Sequence, residues 1–321
     1  MQCMHYSSHY FSYGVYLSQS YQFANLYLNG YGLLSNFFFM ITNEKHLLYI
    51  LKVKKERLDY ILEHLNDFYY SFSKPKIDHI TGKVKRNTNG EEEYRIINAP
   101  NEELKKIQKR IYKYIITKVD LPSYIYGGVK GKNNIRNARY HQGNKYIFTT
   151  DLKSFFPSIT YKQVFLMFLR EGCTPPVARI LTKLTTLHYE VPQGTPTSTL
   201  IANLVIKPYG KKIAEFALKN RMKFTMFVDD ITISSKHDFK YLVPEILNII
   251  HSSGFKISQK KTHYQTKNPV ITGVICKNDR LLAPIAYKKK LTRLKKEQME
   301  KPDSVNHLRG LENYIHGIET A

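Results

Sequence analysis

Two adjacent carboxylates, Asp229 and Asp230, sit between two apolar, β-prone runs in Phe224-Thr-Met-Phe-Val-Asp229-Asp230-Ile-Thr-Ile-Ser234. The period-two alternation over 223–234 predicts a two-stranded hairpin with both acids at its tip. Side by side, such acids repel each other unless a cation neutralises them, although an Asp-Asp turn in a solvated loop has the same pattern. A third acid, Asp151, ends a second predicted strand over 145–150 and is followed by Leu152-Lys-Ser-Phe-Phe-Pro157. An acid at a strand end can converge on a neighbouring hairpin tip. Two or three carboxylates on rigid strands make a hard-cation site of the Mg²⁺ kind, which takes one or two protein carboxylates, several waters and substrate phosphates. A pair of such ions can activate an attacking hydroxyl and stabilise a leaving pyrophosphate.

The elements that must position these acids alternate irregularly. Leucines and isoleucines at three- and four-residue spacing from Leu47 to Leu65 predict helix, and the turn-rich 74–93 reads as a hairpin or loop. Tyr94–Ile97 is a short strand, followed by a helix from Leu104 to Val119 with Asn101 as its N-cap. Gly127, Gly128 and Gly131 mark a basic glycine-rich loop carrying Lys130 and Lys132. Helices are expected at about 133–141, 161–171, 175–187, from Pro196 to about 219, and at 238–253. Short strands are expected at 255–258 and 270–276, before a basic helical tail. Strands scattered among helices in this way indicate an α+β fold rather than a regular βαβ array.

The partners follow from charge. The 321 residues hold 49 Lys and Arg against 26 Asp and Glu, so 49 − 26 gives +23. That excess points to a polyanion, either nucleic acid or an anionic membrane. Three scattered cysteines without a CxxC pair exclude a cysteine-based zinc site and a disulfide scaffold, and fit a reducing compartment. Residues 1–43 contain no charged side chain and are crowded with aromatics. They lack the basic n-region of a secretory signal, and polar residues interrupt every candidate membrane span. Two readings stand for this extension: an upstream tract from a misassigned start codon, with Met40 as the true start, or an aromatic segment that docks on the body.

Four blocks, in order and at family spacing, resemble those of reverse transcriptases. They are Tyr94-Arg95-Ile-Ile97 with Pro100 and Leu104-Lys105-x-Ile107-Gln108; Asp151-Leu-Lys-Ser-Phe-Phe156-Pro157-Ser158-Ile159; Val191-Pro-Gln193-Gly194-Thr-Pro196-Thr-Ser198 with Ala202-Asn203-Leu204; and Phe227-Val228-Asp229-Asp230. Two further elements are similar to ones that set the bacterial retron enzymes apart. Asn137-Ala138-Arg139-Tyr140-His141 fits their NAxxH element, and Val270-Ile271-Thr272-Gly273 resembles their VTG element. The acid block departs from the common Tyr-Ala-Asp-Asp in the two positions before the carboxylates.

This resemblance, spanning about residues 47–318, implies a right-hand polymerase fold. Residues 44–144 would form N-terminal helices and fingers, 145–276 a palm of antiparallel sheet plus helices, and 277–321 a short helical thumb. It implies RNA-directed DNA synthesis, with Asp151, Asp229 and Asp230 holding two Mg²⁺ ions. Arg95 would grip the triphosphate and Gln193 and Gly194 the nucleotide. Phe156 would exclude a ribose 2′-OH, unless it simply packs beside Phe155. Lys260 or Lys261 would stand at the pyrophosphate. Asn137 and His141 would hold RNA, the alternative being a capped, hydrogen-bonded helix end. Lys288, Lys289 and Arg293 would track the duplex, with a membrane surface as the competing reading of that basic helix. The implied partners are dNTPs, a cognate structured non-coding RNA with its branched DNA product, and a separate effector in anti-phage defence, all in the cytoplasm without a membrane. The rivals are a non-retron defence or group II-like reverse transcriptase, and a catalytically silent RNA-binding scaffold.

Overall fold

The computed structural model describes residues 41, 43–78, 83–300 and 305–321, with the backbone alone at 297–300 and 305–307. The expectations for the uncharged N-terminal extension lie outside the described residues.

Helices α1 (Glu44–Leu51) and α2 (Lys55–Glu63) take up the first leucine-rich pattern. β1 (Tyr69–Pro75) pairs antiparallel with β2 (Tyr94–Pro100), and the turn-rich segment between them carries two local bridges of its own, Ile77↔Val84 and Arg86↔Glu92. Asn101 caps α3 (Glu102–Tyr114) as its sequence predicts, its side chain accepting from the Leu104 amide at 2.9 Å. A short 3₁₀ turn, not more α-helix, continues to Lys118.

A four-stranded antiparallel sheet in the order β4-β5-β3-β6 occupies the middle of the chain. It comprises β3 (Tyr146–Asp151), β4 (Lys223–Phe227), β5 (Asp230–Ser235) and β6 (His263–Gln265). The interleaved helices are α4 (Asn134–His141), α5 (Phe155–Ser158), α6 (Tyr161–Arg170), α7 (Pro175–Thr185), α8 (Ser198–Lys219) and α9 (Val243–His251). Register puts Phe148, Ile233 and Phe224 on one face, within a large core shared with α1–α3 and α6–α9. Alternation sends Thr225, Thr232 and Ser234 to the other face, where α4 covers them. The polar half of the alternation is therefore buried: Thr225 and Ser234 are 0% exposed.

A second core joins Ala138 of α4 and Ile147 of β3 to a small sheet of β7 (Val270–Ile271), β8 (Val274–Cys276) and β9 (Leu281–Leu282). Ile315 and Ile318 of α11 (Val305–Glu319) complete it. The basic helix α10 (Ile285–Glu300) packs on α11. Among the described residues no helix is long and apolar enough to cross a membrane.

The strand expected at 255–258 is not one. Ile257 makes a single bridge to Leu152, and the Ser258 amide donates to the Asp151 carbonyl at 2.7 Å. The segment only flanks the turn leaving β3. On the side of β3 away from β5 the ladder partner is β6, whose three residues carry no periodicity that a sequence could reveal.

Candidate active site

The pair Phe227↔Asp230 closes the β4–β5 hairpin, leaving Val228 and Asp229 as its two-residue turn. Asp230 stands opposite Asp151 in the β3–β5 register, and the Leu152 amide donates to the Asp229 carbonyl at 3.0 Å. The sheet thus brings the three acids to one end. Burial pushes the Asp229 carboxyl up to about 6, and the Asp151 charge adds to it. Burial, then Asp229 and Asp151, push Asp230 up to about 7. Crowded, poorly hydrated carboxylates of this kind favour whatever neutralises them.

One neutralising group is already present. Lys261 ends the 3₁₀ turn Gln259–Lys261 before β6, and its Nζ donates to Asp151 Oδ1 at 2.8 Å. Thr150 and Thr262 hydroxyls, 2.7 Å apart, tie the two segments together beside it. The charge of Lys260 is felt on the β1–β2 hairpin, where after Lys76 and Lys85 it helps to hold the Glu93 carboxyl low. Of the two lysines, only Lys261 meets the acids.

Among the described residues no three His, Cys, Asp or Glu side chains are arranged to hold a metal ion as they stand. Mg²⁺ needs no such cage, since waters and substrate phosphates supply most of its ligands. All-oxygen donors with raised carboxyl pKa values fit a hard divalent cation.

The loop before α8 meets the hairpin. The Asn98 amide of β2 donates to the Gln193 carbonyl at 2.8 Å, and Gly194, at φ 110°, lies where a Cβ would come within 2.7 Å of Ile97 Cγ2. Arg95 is exposed two residues along the same face of β2 as Ile97. The tandem Phe155-Phe156 divides its labour: Phe155 is buried against Phe255, and Phe156 is left half-buried. Lys132 does not serve the loop's surface, because its Nζ donates to the Ser123 and Ile125 carbonyls at 2.6 and 2.7 Å.

Two residues expected to hold RNA face inward. Asn137 and His141 are both 0% exposed, so neither side chain lies at the surface. His141 bonds the β4–β5 hairpin instead, Nδ1 to Ser234 Oγ and Nε2 to Thr225 Oγ1, both at 2.7 Å. Asn137 Nδ2 donates to Thr272 Oγ1 at 3.3 Å, and Asn134 Nδ2 to the Thr272 carbonyl and the Tyr314 hydroxyl. Helical spacing put Asn137 and His141 on one face correctly, but that face is inward. Lys288 is also engaged, pairing with Glu319 of α11 at 2.7 Å. Lys289 and Arg293 are exposed on α10.

Asn203, placed by its sequence only within the third block, is 1% exposed and donates to the Gly127 carbonyl at 2.8 Å. Gly127, expected in a basic loop, packs on the Val228 backbone. Neither contact has a signal in one sequence, because both depend on distant segments meeting.

The profile of the family described as reverse transcriptase (RNA-dependent DNA polymerase) matches residues 83–300. The Retron Se72 reverse transcriptase of Salmonella heidelberg (strain 579083-10) is 36% identical over 195 residues, 59% of this chain and 47% of the relative. The Retron Ec86 reverse transcriptase of Escherichia coli is 27% identical over 235 residues, 72% of this chain and 73% of the relative. The Retron Ec83 reverse transcriptase of Escherichia coli is 28% identical over 271 residues, 78% of this chain and 86% of the relative. The chain thus spans about half the length of the Salmonella relative.

Proposed function

The chain belongs to the reverse transcriptase (RNA-dependent DNA polymerase) family, and we propose that it is a retron-type enzyme that copies a structured non-coding RNA into single-stranded DNA. The observation that carries this reading is the meeting of Asp151, Asp229 and Asp230 at one sheet end in a protein of net charge +23. A surplus of acid at one point and of base elsewhere suits a site where polyanions are joined.

In the right-hand reading, the β1–β2 hairpin with the helices around it forms fingers, the four-stranded sheet the palm, and α10–α11 the thumb. Two Mg²⁺ ions, held by Asp151 and Asp229 with Asp230 completing the site, would supply activation of the primer hydroxyl and stabilisation of the leaving pyrophosphate. Arg95 binds the triphosphate from the hairpin, and the Gln193–Gly194 backbone seats the nucleotide. The half-buried ring of Phe156 excludes a ribose 2′-OH. Lys261 donates to Asp151 while no nucleotide is bound, then turns to the pyrophosphate and gives it a proton as general acid. Lys289 and Arg293 track the duplex, while Asn137 and His141 position α4 rather than bind RNA.

Resemblance to the retron enzymes supports a dedicated RNA template, a branched RNA–DNA product and a separate effector in anti-phage defence. A cytoplasmic setting fits the free, buried Cys173 and Cys276. Primer extension on an RNA template with dNTPs and Mg²⁺ tests the polymerase, with Asp229→Ala and Asp230→Ala as controls; equal activity in the variants defeats the mechanism. Sequencing the nucleic acid that copurifies from the native host tests the retron reading, which requires single-stranded DNA joined covalently to RNA.

A further inference from the structure

Val228 holds a backbone conformation that its side chain disfavours. Its φ is 60°, an outlier for a β-branched residue, of a kind that costs roughly 1–3 kcal/mol and persists only where the surroundings impose it. The surroundings are visible. Segment 124–127 lies along the free edge of β4: the Met226 amide donates to the Tyr124 carbonyl, and the Tyr126 amide to the Met226 carbonyl, both at 2.8 Å. This lays Gly127 on the turn. A Cβ there would be 2.4 Å from Val228 N, 2.5 Å from Val228 Cγ2 and 2.8 Å from the Phe227 carbonyl carbon, so no residue with a side chain fits without moving the turn.

Gly127 is held from behind by α8. Asn203 donates to its carbonyl, and a Cβ on Gly128 (φ 72°) would be 2.5 Å from Thr199 Cγ2, one helical turn before Asn203. The same helix carries the nucleotide loop at its start, where Ser198 Oγ donates to the Pro192 carbonyl at 2.6 Å.

We propose that Asn203 and Gly127 form a clamp that transmits the position of α8 to the Val228–Asp229 turn. Asn203 is then a positioning residue for Asp229. The nucleotide loop and the acid turn share one rigid reference, so their separation is fixed before any substrate arrives. Misplacement of a reacting group by about 1 Å costs on the order of 10²-fold in rate, which is the scale the clamp protects.

The inference rests on the polymerase reading, and wild-type primer extension separates the two: an inactive wild type refutes that reading rather than the clamp. The test variants are Asn203→Leu, similar in size but without the amide donor, and Gly127→Ala. Ile318→Ala, in the second core, supplies a variant destabilised away from the clamp. For Asn203→Leu the clamp requires kcat to fall roughly 10–100-fold, with template–primer Kd nearly unchanged and faster amide exchange confined to 226–230. Ile318→Ala, compared at an equal loss of Tm, should keep kcat near wild type. Wild-type kcat in Asn203→Leu, unchanged exchange at 226–230, or an equal loss of kcat in Ile318→Ala overturns the proposal. If Gly127→Ala fails to fold, Asn203→Leu carries the test alone. If it folds, adding Val228→Ala should not restore kcat, since the first clash is with the Val228 backbone. Restoration would show side-chain crowding in place of a clamp.

Discussion

Strands β4 and β5 carry polar groups at two places, and the two are treated in opposite ways. At the turn, Asp229 and Asp230 face Asp151, with like charges crowded and partly dehydrated. On the face covered by α4, Thr225, Ser234, His141 and Asn144 satisfy one another through three hydrogen bonds of 2.7 Å. Burying polar groups is tolerable when each finds a partner, and the His141 layer meets that condition. The acid end keeps the repulsion of like charges instead, and that is what invites a cation and phosphates. Crowded like charge marks the site, and mutual hydrogen bonding marks the layer around His141.

The sharpest way to break this contrast is to remove one group from each side. Asp229→Ala should lower primer extension on the order of 10³-fold, the scale seen when a transition-state charge stabiliser is lost, with no loss of Tm. His141→Ala should do the reverse. It leaves the Thr225 hydroxyl without its imidazole partner, at about 1–3 kcal/mol for an unsatisfied group, and Ser234 with Asn144 alone, so Tm falls clearly while the folded fraction retains activity. A stable but inactive His141→Ala would move His141 to the active side of the comparison.

The meeting of the acids was readable because it is written locally: two carboxylates in a predicted hairpin and a third at a strand end. Asn101 as a cap and the boundaries of α4 and β3 were local in the same sense. What was not readable depends on which side of an element faces inward. Asn137 and His141 share a helix face by spacing alone, but only the fold shows that face closed against β4, β5 and the Thr272 turn. The choice between Lys260 and Lys261 likewise needed the 3₁₀ turn that brings Lys261 to Asp151. The same limit hid Asn203 and Gly127, whose contact joins residues 76 positions apart.

Titration should separate the two regions by sign. Burial, helped by Lys223, lowers His141 to about 3 from 6.5. A depressed histidine contributes stability that is present above its unfolded pKa and lost as pH falls below it, about 2 kcal/mol by pH 5. Asp229 and Asp230 are raised, so their contribution runs the other way: it is present at low pH and lost as pH rises through about 6 and about 7. In metal-free protein the two trends oppose each other between pH 8 and 5. His141→Gln should therefore become more stable on acidification than wild type does, and Asp229→Asn/Asp230→Asn should become less so. Parallel Tm profiles for all three proteins would erase the distinction.

The smallest effect is expected at the C-terminal helices, where charge serves neither role strongly. Lys288 and Glu319 pair at 2.7 Å across α10 and α11, but Lys288 is 53% exposed. A solvent-facing pair is worth about 0–1 kcal/mol and is screened by salt, so Lys288→Ala should shift Tm by no more than a few degrees. Its effect on RNA should also be slight, because the ammonium already has a partner. Lys289→Ala, exposed on the same helix, should weaken template–primer binding more, and by less at high salt, where fewer counterions are released. Equal losses from the two substitutions would mean that the Glu319 pair opens freely when RNA binds, and that the α10–α11 contact is held by its apolar face around Ile315 and Ile318 together with the Lys295–Glu312 pair.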